Sequence, residues 1–230
     1  MRARDVDVVV AEDEEAAAQS VAELLAEAAG NGAEIVLTGG STPVPAYERA
    51  AVLEPDWSRA GVWWGDERCV PPDDERSNFG LAKRSIFDQL ERQPGRVHRI
   101  RGEDEPQSAA AAYEQELRET KLDLLLLGLG PDGHLASLFP HSPGLVESKR
   151  LVIAAEAKLE PFVERVTMTP PALRAASRVV FLVTGEGKAE AVAAALAGPP
   201  DPAVPGSLVR AESGQTLAIV DRKAASRLRD

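Results

Sequence analysis

The residues best equipped for chemistry fall in a glycine-rich turn, Gly128-Leu129-Gly130-Pro131-Asp132-Gly133-His134, which follows four consecutive leucines. An imidazole titrates near neutral pH, so a histidine presented by such a turn suits a general base, with Asp132 nearby as a carboxylate partner. The chain holds three histidines; His98 and His141 lack this setting and read as packing or surface residues. The turn contains a literal Gly-x-Gly-x-x-Gly. Pro131 and His134 interrupt the smooth entry into a helix, however, and no strand ending in an acid follows about 20 residues on, which disfavours a dinucleotide site. A second segment, Thr38-Gly39-Gly40-Ser41-Thr42-Pro43, joins an apolar run to a helix-forming stretch. Its glycines allow close backbone approach, Ser41 or Thr42 can cap the helix, and Pro43 suits the first turn. Free amides at the positive end of a helix dipole suit a phosphate. The Gly-x-x-x-x-Gly-Lys pattern of a P-loop is absent, and a plain capped turn is the alternative.

A third segment, Gly65-Asp66-Glu67-Arg68-Cys69-Val70-Pro71-Pro72, ends the run Gly61-Val62-Trp63-Trp64. Charges there are costly to desolvate unless used or paired. Arg68 can grip a phosphate or carboxylate with its planar fork, or the three charges can form a structural ion pair. Cys69 beside an arginine could act as a nucleophile, but no Cys-His signature accompanies it, so an inert thiol is expected. Because successive strand residues face opposite ways, at least one of Trp63 and Trp64 is expected to pack the sheet. Arg165, opening Arg165-Val166-Thr167-Met168-Thr169, and Lys188, after Thr184-Gly185-Glu186-Gly187, complete a set of cations at strand ends. No His-x-x-x-His or Cys-x-x-Cys spacing suggests a metal site.

These segments must be positioned by the rest of a chain of 230 residues, 44% hydrophobic and 27% charged, which are ordinary globular proportions. The net charge of −11 repels nucleic acid and anionic membranes, so an anionic ligand needs a local cluster of cations and amides. No apolar run approaches the ~20 residues of a membrane span. The start of the chain turns acidic at Glu12–Glu15 without the apolar core of a signal peptide, and the lone Cys69 forms no internal disulfide, so a cytoplasmic protein is expected.

Strands are expected at 6–10, 35–37, 61–64, 97–100, 124–127, 151–155, 165–169, 179–183 and 216–220. Helices are expected at 14–29, from Pro43, and at 77–90, 107–119 and 188–196. The unalternating Leu124–Leu127 marks a central strand covered on both faces. This alternation implies one α/β domain over residues 1–230: three layers, with a mostly parallel sheet and helices on both faces. Gly198–Pro205 is proline-rich but lies too near the end to divide domains. Ligands in such sheets bind beyond the strand ends, which directs attention to the loops after Leu37, Trp64, Leu127, Met168 and Val183.

Taken together, TGGSTP at 38–43, GDERCVP at 65–71, SNFG at 77–80, LGLGPDGHLASLFP at 127–140 and RVTMT at 165–169 resemble the 6-phosphogluconolactonase family, in order and over nearly the whole chain. The stretch around His134 is the most specific. That family belongs to a wider group of sugar-phosphate isomerases and deaminases with one modified Rossmann fold. The deaminases carry Asp-Glu-Tyr where this chain has Asp66-Glu67-Arg68, and an Ile-Ala-Phe-Asn-Glu-Pro-like run where it has Leu-Ala-Ser-Leu-Phe-Pro.

The resemblance implies hydrolysis of 6-phospho-D-glucono-1,5-lactone to 6-phospho-D-gluconate, in the oxidative pentose phosphate pathway. The phosphate would lie on Gly39, Gly40, Ser41 and Thr42 with Arg68, Arg165 and Lys188. His134 would activate water, Asp132 or Asp66 would hold the imidazole or the water, and amides near Gly133 or a cation would meet the oxyanion. The implied partner is a small sugar-phosphate lactone, with no cofactor, metal, nucleic acid or membrane, for a monomer or homodimer. An amino-sugar-phosphate deaminase on the same fold is the alternative. A non-catalytic sugar-phosphate sensor is a third reading, but no basic helix-turn-helix segment is visible.

Overall fold

Apolar strands without polar alternation need cover on both faces, and the structure provides it. The computed structural model describes residues 2–3, 5–158 and 160–228. Its elements run β1 (Arg2–Ala3), β2 (Val6–Ala11), α1 (Glu14–Gly30), β3 (Glu34–Leu37), α2 (Val44–Leu53), β4 (Gly61–Trp64), β5 (Asp66–Arg68), α3 (Asn78–Ser85), β6 (Arg96–Val97), α4 (Pro106–Leu117), β7 (Leu124–Leu127), β8 (Val152–Ala155), β9 (Arg165–Met168), α5 (Pro170–Arg174), β10 (Arg178–Val183), α6 (Ala189–Val192) and β11 (Gln215–Asp221).

The main sheet has the order β1-β2-β11-β10-β7-β3-β4-β6. Seven strands are parallel, and β1 is an antiparallel edge. Every residue of β4 and β7 is buried, which a pleated strand achieves only when both of its faces are covered. Helix α1 illustrates how the cover forms. Asp13 caps it by accepting the Ala16 amide at 2.9 Å, and Val21, Ala22, Leu25 and Ala29 form a buried stripe. Between β7 and β3 the winding reverses: β3, β4 and β6 build outward on one side, and β7, β10 and β11 on the other. A ligand crevice is expected at such a switch point.

Not all strands join this sheet. β5, β9 and β8 form a separate three-stranded antiparallel sheet. The chain leaves β4 at Gly65, whose N–H donates to Leu37 O (3.1 Å) and whose carbonyl accepts the Met168 N–H (2.8 Å), and it enters β5 carrying Asp66, Glu67 and Arg68. Three charges cannot continue a strand covered on both faces, so the extended backbone finds partners elsewhere. This corrects the expectation that the site includes the loop after Met168. Thr169, at that point, is buried and donates its hydroxyl to Arg150 O at 2.6 Å; it is the opening residue of β9, Arg165, that reaches the cavity described below.

Candidate active site

A cavity of about 210 Å³ opens at the switch point. Loops after β3, β4, β7 and β10 form its wall, contributing Thr38, Gly39, Gly40 and Thr42, then Asp66 and Arg68, then Gly128, Gly130 and His134, then Thr184 and Lys188; Arg165 adds the β9 side. Of the site residues that the family resemblance implies, Ser41, Asp132 and Gly133 lie outside this lining.

The turn after β7 is tight. Gly133 donates to Gly130 O at 3.0 Å and adopts φ +81°, a conformation glycine accepts without strain. The turn folds Asp132 Oδ1 to within 2.5 Å of His134 Nδ1 and 3.2 Å of the His134 amide. Asp132 thus stands behind the ring, and Nε2 is left for whatever occupies the cavity. Burial raises the Asp132 carboxyl pKa, but the hydrogen bonds and charge of His134 outweigh it and hold the carboxyl below its ordinary value. Phe139 packs against the imidazole with centroids 4.9 Å apart. Gly130 leaves no room for a side chain: a Cβ there would lie 2.0 Å from His134 Nδ1. The Gly133 N–H, expected as an oxyanion donor, is spent within the turn. The Ala136 amide, on the cavity wall, donates to no group among the described residues, whereas Leu135 pairs with Leu138 in an isolated antiparallel bridge.

The loop after β3 starts from a fixed point. The Tyr47 phenol accepts the Thr38 N–H at 2.9 Å and donates to Thr38 O at 2.7 Å, from full burial. Neither Ser41 nor Thr42 caps α2. The Ser41 carbonyl instead accepts the Val44 N–H at 3.2 Å, and no side chain bonds to the helix start. The Gly39 and Gly40 amides donate to no group among the described residues, and Gly40 has φ +91°.

Cations face this loop. Arg68 and Arg165 are register partners across β5 and β9, which places their side chains on the same face, and both line the cavity. Arg68 donates Nη1 to Arg76 O at 2.6 Å, while its buried Nε has no partner. Arg165 donates Nε to Val163 O and Nη2 to Pro161 O. Its pKa is lowered by burial and by Arg68, against the attraction of Asp66. Lys188 donates to Leu129 O at 2.8 Å; burial lowers its pKa, and Asp132 works in the other direction.

No ion pair joins Asp66, Glu67 and Arg68. Glu67, 2% exposed, accepts the Asn78 N–H (2.7 Å), the Phe79 N–H (2.8 Å) and the Ser77 hydroxyl (3.0 Å), so it anchors the start of α3; burial nevertheless raises its pKa. Asn78 donates Nδ2 to the Asp66 carbonyl and carboxylate, and Ser137 donates its hydroxyl to Asp66 Oδ2 at 2.6 Å. Asn78 and Ser137 are not among the site residues expected from the sequence, although both lie in segments that carry the family resemblance, SNFG at 77–80 and LGLGPDGHLASLFP at 127–140. The Asn78 side chain abuts Gly39, where a Cβ would lie 2.0 Å from Oδ1.

The other candidates pack. Trp63 stacks on His98 (3.9 Å, 7°) and donates to Glu34, while Trp64 meets Phe79 and Phe87 edge-on; neither lines the cavity. His98 is held by Glu116 at 2.7 Å. Burial, with Glu164 and Glu67, pushes the Cys69 thiol up to about 11, which keeps it from acting as a thiolate near neutral pH. Among the described residues no group of three or more His, Cys, Asp or Glu is placed to hold a metal, and no helix is long and apolar enough to cross a membrane.

Fold and cavity together define a doubly wound α/β protein whose cleft sets cations and unpaired amides opposite an imidazole–carboxylate pair. Residues 10–218 match the family model described as glucosamine-6-phosphate isomerases/6-phosphogluconolactonase. The 6-phosphogluconolactonase of Streptomyces coelicolor is 39% identical, covering 94% of this chain and 90% of its own length. That of Mycobacterium tuberculosis is 38% identical over 88% of each chain. The structure of the Trypanosoma brucei 6-phosphogluconolactonase superposes with a TM-score of 0.85 at 26% identity, covering 97% of this chain and 99% of that one. The chain belongs to the glucosamine-6-phosphate isomerase/6-phosphogluconolactonase family.

Proposed function

We propose that this protein hydrolyses 6-phospho-D-glucono-1,5-lactone to 6-phospho-D-gluconate. One observation carries the reading: Arg68 and Arg165 lie side by side on the wall of a cavity that also holds the His134 ring. Like charges directly opposite in a sheet are destabilising, and a phosphate dianion is the ligand that turns the pair to advantage. The amides of Gly39 and Gly40, near the start of α2, add donors to the same anion. Held at this end, the remote phosphate orients the lactone ring.

His134 Nε2 takes a proton from water as the water oxygen bonds to C1. Asp132 on Nδ1 fixes the tautomer and steadies the imidazolium that forms. With the Gly133 N–H spent, the tetrahedral oxyanion is met by Lys188 and the amide of Ala136. Collapse breaks the bond from C1 to the ring oxygen, which recovers the proton from the imidazolium and leaves the carboxylic acid to ionise. Asp66, whose place beside His134 is taken by Asp132, accepts from ring hydroxyls. Ser41, exposed and outside the lining, receives no role.

The test is base consumption by purified protein with freshly prepared lactone at constant pH. Turnover well above spontaneous hydrolysis, without ammonia release from glucosamine 6-phosphate, supports the reading. Ammonia release with no lactone turnover replaces it with a deaminase.

A further inference from the structure

Ser137 takes part in none of these steps, yet it is 1% exposed and both of its hydrogen-bond donors reach outside its own loop. Its amide donates to Thr167 Oγ1 at 3.2 Å and its hydroxyl to Asp66 Oδ2 at 2.6 Å. Thr167 and Asp66 are register partners in β9 and β5. A single residue of the histidine-bearing loop therefore docks across one rung of the sheet that carries both arginines.

The geometry has a consequence for Asp66. Its Oδ1 accepts Asn78 Nδ2 at 3.1 Å from α3, and its Oδ2 accepts Ser137. Gripped at each oxygen from a different element, the carboxylate is fixed in its plane. A carboxylate offers about four acceptor positions, so lone pairs remain for the cavity it lines. Only 5% of Asp66 is exposed, so water does little to restore a missing donor.

We propose that Ser137 is a positioning residue: it aims the Asp66 carboxylate at the hydroxyls of the bound sugar and sets its placement relative to His134, three residues earlier in the loop. The proposal rests on the reading in which Asp66 receives sugar hydroxyls. It differs from a generic packing role because its effect runs through one acceptor. Removing the hydroxyl then weakens recognition of the polyol and leaves recognition of the phosphate intact, since the phosphate is assigned to the arginine pair and the glycine loop.

The experiment is a double-mutant cycle read by calorimetry, with 6-phosphogluconate and inorganic phosphate as separate probes, on the wild type, Ser137→Ala, Asp66→Ala and the double variant. Ser137→Ala is expected to weaken 6-phosphogluconate about tenfold, the size of a hydrogen bond to a charged group, and to leave phosphate binding within about twofold. In the Asp66→Ala background the same substitution is expected to cost less than about twofold, because the group it acts through is gone. Ser137→Cys, which keeps the size and a weak donor, is expected to fall between the wild type and Ser137→Ala, and it replaces Ser137→Ala in the cycle should the alanine variant not fold. A full loss that persists without Asp66, or equal weakening of both probes, overturns the proposal. The readout is binding, so it stands whether or not the lactone turns over. Absence of turnover in wild type overturns the lactonase reading, whereas additive losses overturn the role of Ser137.

Discussion

Arg68 and Arg165 occupy the same rung of a two-stranded register, with side chains that face one cavity. Two guanidinium groups so placed repel each other and attract a dianion. This gives the small second sheet a purpose: it sets two fixed cations beside the mouth of a parallel sheet that supplies amides.

That relationship separates stability from binding. Arg68→Met removes one member while keeping an apolar stem, and the Arg68 side chain makes a single hydrogen bond, to Arg76 O. Its KM for the lactone is expected to rise about tenfold or more with kcat little changed, the signature of lost binding. The unfolding midpoint is expected to stay level or rise. A lowered kcat with unchanged KM would move the phosphate elsewhere.

Asp132→Asn tests the carboxylate partner of the proposed general base. The amide keeps the shape but does not support the imidazolium, so kcat is expected to fall by about 10² to 10⁴ with KM nearly constant. Combined with His134→Ala it is expected to add little, because the two residues act as one unit. Independent, multiplying losses would show that Asp132 works apart from the ring.

A single methyl group tests the placement of the ring. In Gly130→Ala the new Cβ would lie 2.0 Å from His134 Nδ1 and 2.6 Å from Asp132 Oδ1, whereas at Gly187 nothing lies within 4 Å. Gly130→Ala is expected to lower kcat about 10²-fold by displacing the imidazole. Gly187→Ala should match the wild type in steady-state kinetics. Equal activity of both variants would contradict the close fit of the turn.

Acid stability follows from three carboxylates. The Arg99 hydrogen bond holds Glu103, backbone amides led by Lys149 hold Glu147, and the Arg76 hydrogen bond holds Asp74, each at about 2 against ordinary values of 4.5, 4.5 and 3.8. A depressed native pKa means that the unfolded chain takes up protons first, so the contribution is present above pH 4.5 and lost as pH falls toward 2. Glu67, raised by burial, acts in the opposite sense, since its protonation relieves a desolvation cost. Thermal unfolding scans are expected to show the midpoint dropping across the 4.5 to 2 window, and less steeply in Glu147→Gln. A midpoint that holds steady through that window would contradict the assignment.

Leu124–Leu127 reads as a central strand from sequence because four consecutive buried leucines have no other comfortable place. The glycine turn of His134 is equally legible, as Asp132 and the ring lie two residues apart and meet within one turn. The β5 strand is not. Asp66-Glu67-Arg68 runs against strand propensity, and its pairing depends on β9, far along the chain. For the same reason the roles of Ser137 and Asn78 are not legible, although both lie in motifs of the family resemblance: they reach Asp66 across 71 and 12 positions, and spacing carries no trace of such a contact. The α2 cap was misjudged because the backbone turn from Ser41 to Val44 takes the place of a side-chain cap.

The most direct measurement is lactone hydrolysis at constant pH by His134→Gln beside the wild type, each corrected for the spontaneous rate. The wild type should turn the lactone over, and the variant should bind 6-phosphogluconate with similar affinity while losing about 10² to 10⁴ in kcat. A variant that hydrolyses the lactone at the wild-type rate would remove the imidazole from the chemistry and contradict the mechanism built on it.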